Sequence, residues 1–184
     1  MRLKDIGKIP AQHDWTFQTK LQLALAGLRD LMALAILAKK TVWIVFDGAY
    51  AKRALLRPLQ KMGITVVSRL RKDAALRTVP PVPKQRQRGQ PRKYGRERIH
   101  LQRRAAHRSG WEQVQCFVYG QLVTKTIKTF LAAWRPAGGV IRVVIVKEDH
   151  GCAFSCVTGR PGSRGTDART STDRCFGCRR RPSR

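Results

Sequence analysis

Asp47 is the residue best placed to do chemistry. It closes the apolar run Val42, Trp43, Ile44, Val45, Phe46 and is followed by Gly48. A short unbroken apolar run that stops at a turn residue predicts a strand buried on both faces. In an open α/β sheet, ligands and reacting groups gather at the carboxyl ends of such strands. The chain carries 38 Lys and Arg against 11 Asp and Glu, so an acid in that place points to a metal ligand in an enzyme acting on nucleic acid. Asp is also a preferred N-cap residue, so Asp47 reads equally as the cap of the helix that follows.

Basic residues are the second chemical signal. Arg69, Arg71 and Lys72 follow a second predicted strand, on the same sheet edge as Asp47. There they either clamp phosphate or form a salt-bridged turn with Asp73. Residues 78–100 hold Lys84, Arg86, Arg88, Arg92, Lys93, Arg96 and Arg98, with Gly89, Pro91 and Gly95 between them and no apolar periodicity. That composition predicts an extended, exposed loop. Such a loop tracks phosphates in a salt-dependent, largely sequence-blind way, and Tyr94 offers a ring on which a base stacks. A solvated loop without a ligand is the plainer alternative.

The five cysteines suggest no disulfide framework, because their count is odd and no secretory segment precedes them. Cys152 and Cys156, then Cys175 and Cys178, come near a four-cysteine zinc pattern, with 18 residues between the pairs. The first pair lies in the strand-like GCAFSCV rather than in a knuckle, so zinc is the weaker expectation. His13, His100, His107 and His150 show no paired spacing, and there is no P-loop and no GxSxG.

These residues need elements to hold them. Thr16 or Thr19 is placed to cap a buried or amphipathic core helix running to about Ala38. The strand 42–46 follows, then a helix over 49–62 with Leu55, Leu56, Leu59 and Met62 at core spacing. Pro58 either kinks that helix or marks its start, and Gly63 ends it. Residues 64–67 make a second buried strand, so the unit is strand–helix–strand with parallel pairing. From Trp111 the pattern turns to β: two alternating segments around Gly120, a strand over 140–149, and a last edge strand from Cys152 to Val157. Glu148 and Asp149 sit in a β-turn.

The 184 residues suffice for one domain with a core, and the net charge of +27 favours polyanion partners, above all nucleic acid. A membrane surface would need a basic amphipathic helix or a lipidation signal, and neither is present. Gln18 to Lys40 is interrupted by Arg29 and Asp30, so it is a poor span. A cytoplasmic protein is expected. Residues 158–184 contain no Leu, Ile, Val or Met, and all their basic residues are Arg, which predicts a disordered tail. A shifted reading frame in GC-rich DNA is a further explanation of that composition.

WIVFDGAYAKRALLRPLQKMGITVVSRLRKDAAL, followed by RGQPRKYG, resembles the catalytic domain of DDE-superfamily insertion-sequence transposases. The resemblance covers roughly residues 14–156. It implies a ribonuclease H-like α/β fold: a mixed sheet with flanking helices and a β-rich second half, here incomplete. It also implies two divalent ions, usually Mg²⁺, held by three acids and used for phosphodiester cleavage and strand transfer in DNA transposition. Asp47 matches the second of those acids. Arg71, Lys72 and Asp73, and the segment 88–95, match recurrent basic segments. The first Asp of the triad and the third Glu have no counterpart. The resemblance therefore implies a transposase remnant, residues 1–157 with a basic insertion at 78–100, altered from 158 onward and inactive alone. A non-catalytic basic nucleic-acid-binding module is the rival expectation.

Overall fold

The computed structural model describes residues 17–34, 41–81 and 89–158. The chain divides into two units, residues 1–40 and 41–184.

In the first unit, helix α1 spans Lys20–Ala33. Thr19, not Thr16, begins it. Its hydroxyl accepts from the Gln22 N–H at 3.4 Å, and its own N–H donates to Gln22 Oε1 at 2.8 Å. This reciprocal pair is the capping box that the T-x-x-Q spacing allows. None of the α1 residues is buried, but Leu21, Ala24, Leu25, Leu28 and Met32 are half-buried at helical spacing, so of the two expected readings the helix is amphipathic and not buried. No helix among the described residues is long and apolar enough to cross a membrane.

The second unit begins with β1, Trp43–Phe46, which pairs in parallel with β2, Thr65–Arg69. The connection is a short 3-10 turn, Gly48–Tyr50, and helix α2, Arg53–Lys61. Leu55, Leu56 and Leu59 are fully buried, the stripe that helical spacing puts on one face. Pro58 lies inside α2 and does not start it, and Met62 caps the helix instead of joining its buried stripe. Gly63 ends the helix at φ +76, with Ile64 N–H reaching back to the Leu59 carbonyl at 3.0 Å. That left-handed turn is the common glycine C-terminus of a helix.

The remaining strands are β3 (Leu76–Arg77), β4 (Arg98–Ile99), β5 (Glu112–Val118), β6 (Gln121–Trp134), β7 (Gly139–Glu148) and β8 (Gly151–Thr158). Helix α3, Leu101–Ala106, separates β4 from β5. The sheet order is β1-β2-β8-β7-β6-β3-β4, with β5 added against β6. Among the described residues only β1 and β2 pair in parallel, and the other pairings are antiparallel. The sheet is therefore mixed, and the second half is β-rich as expected. Tyr119 at φ 50 and Gly120 at φ 80 make the tight β5–β6 turn, the left-handed pair a two-residue hairpin needs.

Two strands differ from expectation. The 42–46 run is not buried on both faces: β1 ends the sheet, and Val45 is 77% exposed. An unbroken apolar run does not distinguish a central strand from a terminal one, because neighbours decide burial. The strand beginning at Cys152 is not an edge. The turn at Asp149 and His150 sends β8 back between β7 and β2. Thr158 ends β8 fully buried, its hydroxyl donating to the Val66 carbonyl at 3.3 Å. The rest of the expected tail, 159–184, lies outside the described residues, as do Lys84, Arg86, Arg88, Cys175 and Cys178.

In the main core Leu55, Leu56 and Leu59 of α2 and Ile64, Val66, Leu76, Leu101, Ile141, Val143, Ile145 and Cys156 are fully enclosed. Val114, Cys116 and Ile127 form a smaller cluster under the β5–β6 hairpin.

Candidate functional site

Where β1 ends, the backbone stays extended through Asp47 and then tightens into the 3-10 turn. The Asp47 carboxylate accepts from the Gly48 N–H at 2.7 Å, and its carbonyl accepts from Tyr50 N–H at 3.0 Å. Capping is thus one thing the side chain does. The turn crosses directly over β2: a Cβ on Gly48 would sit 3.1 Å from the Arg69 carbonyl, so the position favours glycine. The Phe46 and Tyr50 rings stack beneath, with centroids 5.6 Å apart. Asp47 itself is exposed at the carboxyl end of β1. A capping carboxylate at an exposed strand end keeps an oxygen in reach of a cation.

Beside it, Arg69, Arg71 and Lys72 are exposed at the end of β2 and on the following turn. Leu70 anchors that turn, buried, with its N–H donating to the Phe154 carbonyl at 2.8 Å. Arg71 Nε lies 3.3 Å from Asp73 Oδ1, so the salt-bridged turn is present. Both side chains are mostly exposed, 79% and 64%, and a surface pair of this kind is weak enough to yield to a phosphate.

Part of the basic segment behaves differently from an open loop. Arg92, Lys93 and Arg96 are exposed. Between them the backbone is fastened to β3: Gly95 N–H donates to the Thr78 carbonyl at 2.8 Å, and Thr78 N–H to the Glu97 carbonyl at 3.0 Å. Arg77 Nη1 adds a bond to the Arg96 carbonyl at 3.1 Å. The expected stacking face of Tyr94 is half-buried, with the Arg135 guanidinium 6.0 Å from its ring centroid. Arg135 sits where β6 turns into β7, and β7 starts at the sheet end where β2 also starts. Asp47 lies at the other end. The structure therefore brings Asp47 together with Arg69, Arg71 and Lys72, and leaves Arg92, Lys93, Tyr94 and Arg96 apart from them.

Cys152 and Cys156 stand four residues apart on one extended strand. Their Cα atoms are roughly 13 Å apart at strand rise. A shared zinc ion needs each sulfur about 2.3 Å from the metal, which that separation forbids. Burial pushes the Cys156 thiol up from its ordinary 9.0 to about 12, with backbone hydrogen bonds at Ser68 and at Cys156 itself pulling partly back. It is a neutral core group.

Residues 5–136 match the family described as DDE superfamily endonuclease. The chain belongs to this family. No curated protein and no solved structure matches it. The mixed α/β sheet with few helices is compatible with the ribonuclease H-like DDE domain. DDE enzymes normally use divalent metal and act on DNA. Among the described residues the donor set does not fit such a centre. Among the described residues no three His, Cys, Asp or Glu side chains converge on one point. Asp73 is turned to Arg71, and Glu148 ends β7, three strand positions away from β1 in the sheet. Three spacings are roughly 14 Å, far too long for two ligands of one ion.

Nothing in the sequence pattern marks Ser68 or Lys128, yet both are among the few polar side chains the described residues bury. A lysine one position from Ile127 in an alternating strand reads as solvent-facing. Its register partner is buried Ile145, so it stands on the core-facing side of β6, and its ammonium reaches the carbonyls of Arg104 and His107.

Proposed function

We propose that this chain is the DNA-facing part of a transposase-type endonuclease of an insertion sequence. Asp47 is its one candidate catalytic and Mg²⁺-binding acid. Arg69, Arg71 and Lys72 engage DNA phosphates beside it, and Arg92, Lys93, Arg96 and the residues Lys84, Arg86 and Arg88 engage further phosphates. The observation that carries this reading is the family match, with an acid at the carboxyl end of β1 next to three exposed cations. A single carboxylate does not hold two Mg²⁺ ions, so this polypeptide by itself binds DNA without cutting it.

A labelled duplex titrated at several salt concentrations, with a supercoiled plasmid assayed in Mg²⁺, tests both parts. Affinity falls steeply with salt and the plasmid stays closed. With each of Arg92, Lys93 and Arg96 changed to Gln, the log–log salt slope drops by about 0.9 for every phosphate that is no longer neutralised. A flat salt response would remove the phosphate reading. Mg²⁺-dependent nicking that disappears in Asp47→Ala would overturn the inactivity.

The second reading, a basic binding module without catalysis, is favoured by the carboxylate's bond to Gly48. It differs in one outcome. At constant ionic strength, Mg²⁺ raises DNA affinity in an Asp47-dependent way only if Asp47 is a metal ligand.

A further inference from the structure

Lys128 is the only charged side chain buried among the described residues, at 5% exposure. Its ammonium donates to the carbonyls of Arg104 at 3.0 Å and His107 at 2.6 Å. It also lies 4.8 Å from the centroid of the Trp111 ring. The two carbonyls belong to the carboxyl end of α3 and the residue after it. Lys128 thus neutralises the negative end of that helix from the neighbouring strand. Dipoles and a ring face offset part of the cost of burying a cation, but they do not cancel its charge.

A cavity of about 180 Å³ opens over this lysine. Arg104, His107, Ser109, Gly110, Thr129 and Phe130 complete its wall, and no acid lines it. Arg104 is exposed, with its guanidinium carbon 5.2 Å from the Phe130 ring centroid. Ser109 Oγ and His107 Nδ1 are 2.9 Å apart, so a hydroxyl and an imidazole stand together at the rim. The cavity is below the roughly 300–1,000 Å³ of sites for drug-sized ligands, so it suits a small group. A positive floor, a positive rim and neutral donors between them select a compact oxyanion.

We propose that Arg104, His107, Ser109 and Lys128 form a pocket for a single phosphate group, either a backbone phosphate of nucleic acid or free inorganic phosphate. The pocket is separate from Asp47. Strand registers place Phe46, Ser68, Cys156, Val143 and Phe130 in one row across the sheet. Four spacings, roughly 19 Å, separate the ends of that row. The pocket deepens the DNA-binding reading and rests on it only for the source of the phosphate.

The test is a titration of the full chain with inorganic phosphate at constant ionic strength, read by the ring resonances of His107 in NMR and by Trp111 fluorescence. The Trp111 component is isolated by subtracting the signal of Trp111→Phe. Saturable changes at His107 and Trp111 are expected, and both are lost in Arg104→Gln. Lys128→Met also loses them; because that change takes a donor from the Arg104 and His107 carbonyls, Ser109→Ala, which leaves those bonds intact, is measured beside it and weakens phosphate binding. A linear, non-saturating response equal in wild type and Arg104→Gln would overturn the pocket and leave Lys128 as a helix clamp. A second arm decides the source. If DNA fills the pocket, duplex binding suppresses the phosphate response, and Arg104→Gln lowers the DNA salt slope by about 0.9. If phosphate binds saturably while the DNA slope is unchanged, the pocket takes free phosphate. DNA binding without any pocket response sinks the pocket alone. A pocket response without DNA binding sinks the DNA reading alone.

Discussion

The buried hydroxyl of Ser68 donates to the main-chain carbonyl of Asp47 across 3.3 Å. It ties the ends of β1 and β2 together at the point where the candidate acid leaves the sheet. Ser68→Ala removes that donor from an enclosed site. The expected loss is about 1 kcal/mol, the net value of one such bond. Urea denaturation reads it, and DNA affinity should not change. An unaltered midpoint would mean that the Tyr50 N–H alone satisfies the carbonyl.

Asp47 carries two separable roles, cap and charge. Asp47→Ala loses the acceptor for Gly48 N–H and should cost about 1 kcal/mol. Asp47→Asn keeps an oxygen there and should retain stability while losing any response to Mg²⁺. Thermal melts of both variants, with and without Mg²⁺, check this. Equal destabilisation by Asn and Ala would show that the charge, rather than the hydrogen bond, stabilises the turn.

The Cys156 thiol is fully buried, and burial moves it from 9.0 to about 12. The folded state keeps this proton over a range in which the unfolded chain has released it. Its stabilising contribution is complete below pH 9 and is lost as pH rises toward 12. The slope in that window is about −1.4 kcal/mol per pH unit from this group. Cys156→Ala should flatten the alkaline limb of a stability–pH profile. An identical alkaline limb in the variant would assign the loss to other groups. Alkylation at neutral pH should reach half-buried Cys152 first and Cys156 only on unfolding.

Gly95 is buried against Thr78, and a Cβ there would collide with both the Thr78 side chain and its backbone. Gly95→Ala should therefore lift the 94–97 segment from β3. A cost of about 1–3 kcal/mol is expected for such overpacking. Calorimetry gives the loss, and hydrogen exchange at the Thr78 and Gly95 amides locates it. Exchange unchanged at both amides would refute the close fit.

Much of the first half was legible in the chain itself. The apolar runs at 42–46 and 64–67, the Leu55, Leu56, Leu59 stripe and Gly63 specify a strand–helix–strand unit through local periodicity and one left-handed turn. The alternation from Glu112 to Val157 likewise specifies hairpins. Asp47 and the cations after Arg69 meet because both follow parallel strands, a consequence of connection length alone. Tertiary structure decided the rest. Whether β1 is covered, and whether β8 is an edge, depends on which strands lie alongside, and no local pattern carries that information. Tyr94 meets Arg135, and Lys128 meets the end of α3, although in each case the partners are far apart in the chain. Local sequence sets the period and direction of each element. Burial, and with it the charge environment of Lys128 and the thiol of Cys156, is set by what the other elements place against it.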